Sequence, residues 1–237
     1  MSTEQPTGDA PVLFRLNGVP FQVPVAYWGD VVVLGGGLVW LAGRRRPERG
    51  WGGRLLVGGL GLALAVAADL GHVLGHTVSA RLAGAPMDRV LVALGIPRTL
   101  YDDNAVPPGT HRMRALGGPA ANLLGLLLSL LWHRATRPDS AARDLADVSC
   151  LGHGVLFFGS LVPLPIFDAG TILKWTLVEQ GRSEAEADAL VHQVSELIGL
   201  GAVSTGIVVA LRGRRLVGVA LIAGGAVAIA AGRDLIR

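Results

Sequence analysis

Six apolar stretches recur along this chain: Tyr27 to Ala42, Leu55 to about Ala80, Ala115 to Trp132, Val148 to Pro163, Leu197 to Leu211 and Leu216 to Ala231. No other feature narrows the fold so far. In hydrocarbon every backbone N–H and C=O must find its partner inside the protein, so runs of this kind are read as membrane-spanning helices. The charge content agrees. Only 16% of the residues are charged and mean hydropathy is +0.49, whereas soluble domains carry about 25% charged residues. The expected fold is an all-α polytopic membrane protein of about six transmembrane helices, with small β or re-entrant elements.

The net charge of +3 comes almost entirely from arginine, Lys174 being the single lysine. In such a chain arginine belongs at the lipid headgroups, so the expected surroundings are a lipid bilayer and no nucleic acid. Arg and Lys are shared almost equally between alternate loops, and the dense Arg44 to Arg54 cluster mildly favours an outside N-terminus. The single cysteine, Cys150, excludes an internal disulfide and is expected to be a packed core residue. No cleavable signal peptide is legible in the first 24 residues. The bias toward Arg, Ala, Gly, Val and Leu points to a GC-rich bacterial genome, and so to a bacterial cell membrane.

Between the apolar runs the chain is informative in places. Met1 to Pro11 is polar and is expected to be disordered. Val12 to Val25 holds Asn17-Gly18, a hairpin signal, so a short strand pair is expected there. Arg81 to Arg114 reads as a polar loop, His111 included. Within it Val90 to Leu94 is too short to span and suits a strand or a re-entrant piece. Ser183 followed by Glu186 is a capping box that opens a helix leading into the fifth span. Gly117, Gly118 and Gly125 should let helices approach closely.

The titratable residues inside these runs carry the chemistry. His72 and His76 are four residues apart in an apolar helix, so both imidazoles lie on one face. A carboxylate from elsewhere, Asp168 after the Pro163-Leu164-Pro165 turn, would complete a three-ligand site with a fourth position open, as in catalytic zinc centres. A zincin helix carries Glu after its first histidine as general base; here that position is Val73. Asp69, one turn earlier, shares the face and suits a carboxylate that orients a ligand histidine or substitutes for the missing base. His153 reads as a fourth ligand or a helix–helix hydrogen bond, the latter preferred. His192 and Glu196 read as a local pair or a partner-helix contact. Pro163 and Pro165 free backbone carbonyls, which is tolerated where a cavity is lined.

Three motifs in order resemble the site-2 protease family of intramembrane zinc metalloproteases. His72 to Gly84 is similar to its His-Glu-x-Gly-His segment, including Gly75 and Ala80-Arg81-Leu82-Ala83-Gly84. Gly118-Pro119-Ala120-Ala121-Asn122 is similar to its Gly-Pro-x-x-Asn stretch. Ser160 to Ala169 resembles Asn-x-x-Pro-x-Pro-x-x-Asp-Gly, with Ser160 and Ala169 as departures. Gly18-Val19-Pro20 resembles the segment before the first span. The resemblance implies zinc held by His72, His76 and Asp168, and a bound transmembrane protein segment near Asn122, Gly118, Pro163 and Pro165. It also implies an inside N-terminus, against the arginine pattern. It divides the chain into a polar tail and strand segment (1–24), a site-2-protease-like membrane core (25–178) and two C-terminal transmembrane helices (179–237). Val73 has no proton-accepting atom, so the expected function is that of an inactive or impaired homologue that binds transmembrane segments. One alternative is an active metalloprotease using Asp69. Another, from a different class, is a small transporter or metal conduit with the same trio as a transient site.

Overall fold

The computed structural model describes residues 10–16, 18–92, 97–102 and 104–236. In chain order they form β1 (Val12–Leu16), β2 (Val19–Gln22), α1 (Val25–Arg45), α2 (Trp51–Leu82), β3 (Arg89–Leu91), β4 (Arg98–Leu100), α3 (Pro108–Ala135), α4 (Ala141–Ser160), α5 (Asp168–Glu179), α6 (Glu184–Leu211) and α7 (Arg215–Gly232). This is an all-α polytopic membrane fold carrying a small sheet. Among the described residues five helices, α1, α2, α3, α6 and α7, are long and apolar enough to cross a membrane. Large apolar side chains stand bare on them, Val33 at 76%, Leu211 at 82% and Leu216 at 88% exposure, as lipid contact requires. The fourth expected span, Val148 to Pro163, falls largely on α4. The first half of α4 carries Arg143, Asp144 and Asp147, which leaves too short an apolar remainder.

The four strands run in the order β1-β2-β3-β4, antiparallel except for the parallel β2–β3 pair. Gly18 turns the β1–β2 hairpin at φ +84°, which a residue with a side chain seldom adopts; Asn17 lies outside the described residues. So do residues 1–9, where disorder was expected, and Ala93 and Leu94 of the apolar run whose start forms β3. His111 is not in a loop. Pro108 occupies the first position of α3, where its missing N–H costs nothing, and the helix therefore begins before His111.

The chain divides into two compact units, one of residues up to Ala105 with Gly117–Phe157, the other of Val106–Leu116 with Phe158–Arg237. In the first, the sheet packs on α1 and α2 through a buried cluster that includes Phe21, Tyr27, Val73, Met87 and Val90. The α2 and α3 backbones touch where Gly75 meets Gly117. A Cβ on either would strike the other's carbonyl oxygen, so neither position tolerates a side chain.

A charged clasp ties α4 to the α1–α2 connection. The Asp144 carboxylate accepts from Arg49 Nη2 at 2.6 Å and Arg46 Nε at 3.0 Å, and Arg45 pairs with Asp147. Burial alone would raise the Asp144 pKa, but these guanidinium bonds outweigh it and hold the carboxyl below its ordinary range. A lowered folded pKa means that the clasp is at full strength above the ordinary carboxylate range and is lost as pH falls through the lowered value. Limited proteolysis in the 136–140 connection should therefore accelerate in strong acid. In Asp144→Asn it should already be fast at neutral pH and change little with acid.

In the second unit α6 and α7 form a hairpin with backbone-to-backbone contact. The Ser183–Glu186 capping box opens α6 as the sequence predicts. Ser195 Oγ donates to Ala228 O at 2.8 Å, and His192 Nδ1 donates to Gly232 O at 2.9 Å, so His192 makes a partner-helix contact. Between them lie glycines at seven-residue spacing, Gly199 and Gly206 on α6 against Gly218, Gly225 and Gly232 on α7. His111 is stacked on Trp175 with ring centroids 3.7 Å apart.

Candidate metal centre

The first unit holds a convergent pair of histidines. His72 and His76 project from one face of α2 and are both buried. Their Nε2 atoms face each other at 3.1 Å with the rings nearly perpendicular, at 79°. Two zinc ligands at 2.0–2.1 Å in tetrahedral geometry stand about 3.3 Å apart, so the pair is spaced for a shared ion. Gly118 on α3 keeps the ground in front of them clear. A Cβ there would lie 2.5 Å from His72 Nε2 and would overlap His76 Nε2. The donor set and this cradle fit a small divalent cation.

Behind the pair, Asn122 is wholly buried. Its Nδ2 lies 2.7 Å from His72 Nδ1, and its Oδ1 accepts from His153 Nδ1 at 2.9 Å. Both ends of the amide are thus spent inside the protein. Asn122, expected near a bound segment, stands behind His72 at 0% exposure. His153 makes the helix–helix hydrogen bond, in a slot that Gly125 opens by lacking a Cβ. The neighbour at His72 Nδ1 is Asn122. Asp69 itself is buried one turn earlier on α2.

Val73 is turned about 100° from His72 and is 1% exposed within the apolar cluster against the sheet. That largely apolar packing disfavours a carboxylate. Val73→Glu should therefore lower folding stability by roughly 2–4 kcal/mol, read as an earlier thermal midpoint in detergent, with Val73→Leu costing much less.

In the second unit Asp168 is the first residue of α5, where a carboxylate suits the positive end of the helix. The Pro163-Leu164-Pro165 turn precedes it and is pinned by Phe167 N donating to Leu164 O at 3.0 Å. A Cβ at Gly170 would overlap the same Leu164 oxygen. The glycine needed for this turn therefore sits at 170, which frees position 169 to be alanine. Ser160, at the end of α4, is buried.

A polytopic helix bundle with a buried, convergent histidine pair defines an integral membrane protein with the makings of a metal site. Its fold is that of the site-2 proteases. The site-2 protease from Methanocaldococcus jannaschii is similar over 93% of this chain and 95% of that one, with a TM-score of 0.57 and 14% sequence identity. No family model and no curated protein matches the chain in sequence.

Proposed function

We propose that His72, His76 and Asp168 hold one zinc ion in a membrane protein that has lost most or all proteolytic activity and binds transmembrane segments of other proteins in a bacterial cell membrane. The observation that carries this reading is the Nε2 pair at 3.1 Å facing the space that Gly118 leaves clear. Zinc, when bound, polarises carbonyl and water oxygens. The chain's own residues do the rest. His72 and His76 present lone pairs, Asn122 braces His72 from behind, and Asp168 adds the negative charge that a cation site in low dielectric needs. Pro163 and Pro165 interrupt the helical backbone after α4, and an extended segment would be received beside them.

What position 73 lacks is a group to move the proton. Val73 is aliphatic and packed into the cluster, and losing a general base costs about 10²–10⁴ in rate. Asp69 is the nearest substitute along the helix. Its burial one turn before His72 keeps an active enzyme as the rival reading.

Metal analysis and a cleavage assay on the purified protein in lipid separate these readings. One zinc per chain is expected, lost in His76→Ala, together with no chelator-sensitive cleavage of membrane-spanning peptides. Absence of stoichiometric zinc would sink the cage. Robust wild-type cleavage, lost in Asp69→Asn, would replace the impaired homologue by an active enzyme.

A further inference from the structure

The arginines at the end of the α1–α2 hairpin divide into two groups. Arg45, Arg46 and Arg49 are spent on Asp144 and Asp147 in the clasp to α4. Arg44 and Arg54 pair with no carboxylate among the described residues. Arg44 lies over Trp40, with Cζ 5.4 Å from the ring centroid, and Arg54 stands at the same distance from Trp51. Arg54 also donates from Nε to Arg49 O at 2.7 Å and from Nη2 to Pro47 O at 2.8 Å. These bonds use two of its three nitrogens and fix the guanidinium in place.

Both of these arginines line one cavity of about 350 Å³ between α1 and α2, and no acidic residue lines it. Its α1 wall is a single helix face, Gly36, Val39, Trp40 and Gly43, spaced i, i+3, i+4 and i+7. A Cβ at Gly43 would lie 3.0 Å from Arg54 Cδ, so the missing side chain lets the Arg54 stem lie against α1. A Cβ at Gly36 would meet nothing within 4 Å, so that end of the wall is open. Trp40 and Trp51 are exposed beside it, as indoles at a membrane interface are. From Arg44 back to Gly36 the helix runs about 12 Å. The cavity is thus cationic at the headgroup end and apolar toward the hydrocarbon.

We propose that this cavity binds one acidic glycerophospholipid, its phosphate held by Arg44 and Arg54 and an acyl chain laid along the Gly36–Gly43 face. A guanidinium fork matches phosphate geometry, and no carboxylate competes for either fork. The apolar wall favours a lipid over a soluble anion, which would gain nothing from it. The net negative charge favours an acidic headgroup over a zwitterionic one, whose ammonium offsets the field. Arg54 lies about 27 Å before His72 along α2, so lipid and metal ion would bind independently.

Native mass spectrometry tests this on full-length protein equilibrated with equal amounts of phosphatidylglycerol and phosphatidylcholine. One phosphatidylglycerol should be retained per chain. It should be preferred roughly 25-fold, a factor of about five for each arginine, and Arg44→Gln should cut that preference to about fivefold. Arg212→Gln, on the exposed α6–α7 connection, should leave it unchanged. Gly36→Leu fills the apolar end without striking protein, and should lower retention of both lipids while keeping the preference for charge. Equal retention of the two lipids would overturn the site. So would an equal drop in Arg44→Gln and Arg212→Gln, which would leave only a general attraction of a basic surface for acidic lipid. Displacement of the lipid by soluble glycerol phosphate would make the cavity a phosphate site instead. A dimer that retains no lipid would give the groove to a second copy of this chain.

Discussion

Gly118→Ala should abolish metal loading while leaving the helices in place. The added methyl would fall 2.5 Å from His72 Nε2 and against His76 Nε2, on the ground the ion needs. Both obstructed atoms are the far ends of side chains, so the rings can swing away, and alanine is a better helix former than glycine. The fold should therefore survive with an unchanged helical spectrum and a thermal midpoint within a few degrees of wild type. Zinc affinity should drop at least about 100-fold, read by competition with a calibrated chelator. Cobalt-loaded protein should lose its visible absorption bands in parallel. Full zinc occupancy in Gly118→Ala would place the ion elsewhere.

The second large effect concerns the α6–α7 hairpin. A Cβ at Gly225 would lie 2.6 Å from Gly199 O and 2.8 Å from Val203 Cγ2, and one at Gly218 would lie 2.6 Å from Gly206 O. The obstruction here is backbone, which cannot swing away. Gly225→Leu should force the helices apart and cost about 3 kcal/mol or more. Gly201→Leu is the control, because nothing stands within 4 Å of a Cβ there. It should leave the thermal midpoint in detergent close to that of wild type. Equal losses in the two variants would mean that glycine content alone, rather than close packing, matters in this segment.

Much of this architecture was legible in the residues. The apolar run from Leu55 to about Ala80 announced α2, the capping box announced α6, and Asn17-Gly18 announced the hairpin. Each of these is a local rule, satisfied within a few residues of chain. What escaped depends on tertiary contact. The periodicity of α2 places Val73 on a face, but only the fold shows the sheet covering that face. The resemblance places Asn122 near a bound segment, and only helix packing shows it buried behind His72. The helix α5 is short and follows two prolines, so nothing in its composition marked it. His111 was misplaced for a more avoidable reason, since the polar stretch was read as loop up to Arg114 although Pro108 is well suited to a helix start.

The glycine-lined contact of α6 and α7 also bears on how the C-terminal third of the chain loses its structure. Each helix there offers its partner bare backbone instead of interlocking side chains. Neither can peel away alone without uncovering a seam of peptide groups that lipid tails would have to meet. The hairpin should consequently open and close as a single cooperative unit, with amide exchange in α6 and α7 governed by one common opening free energy.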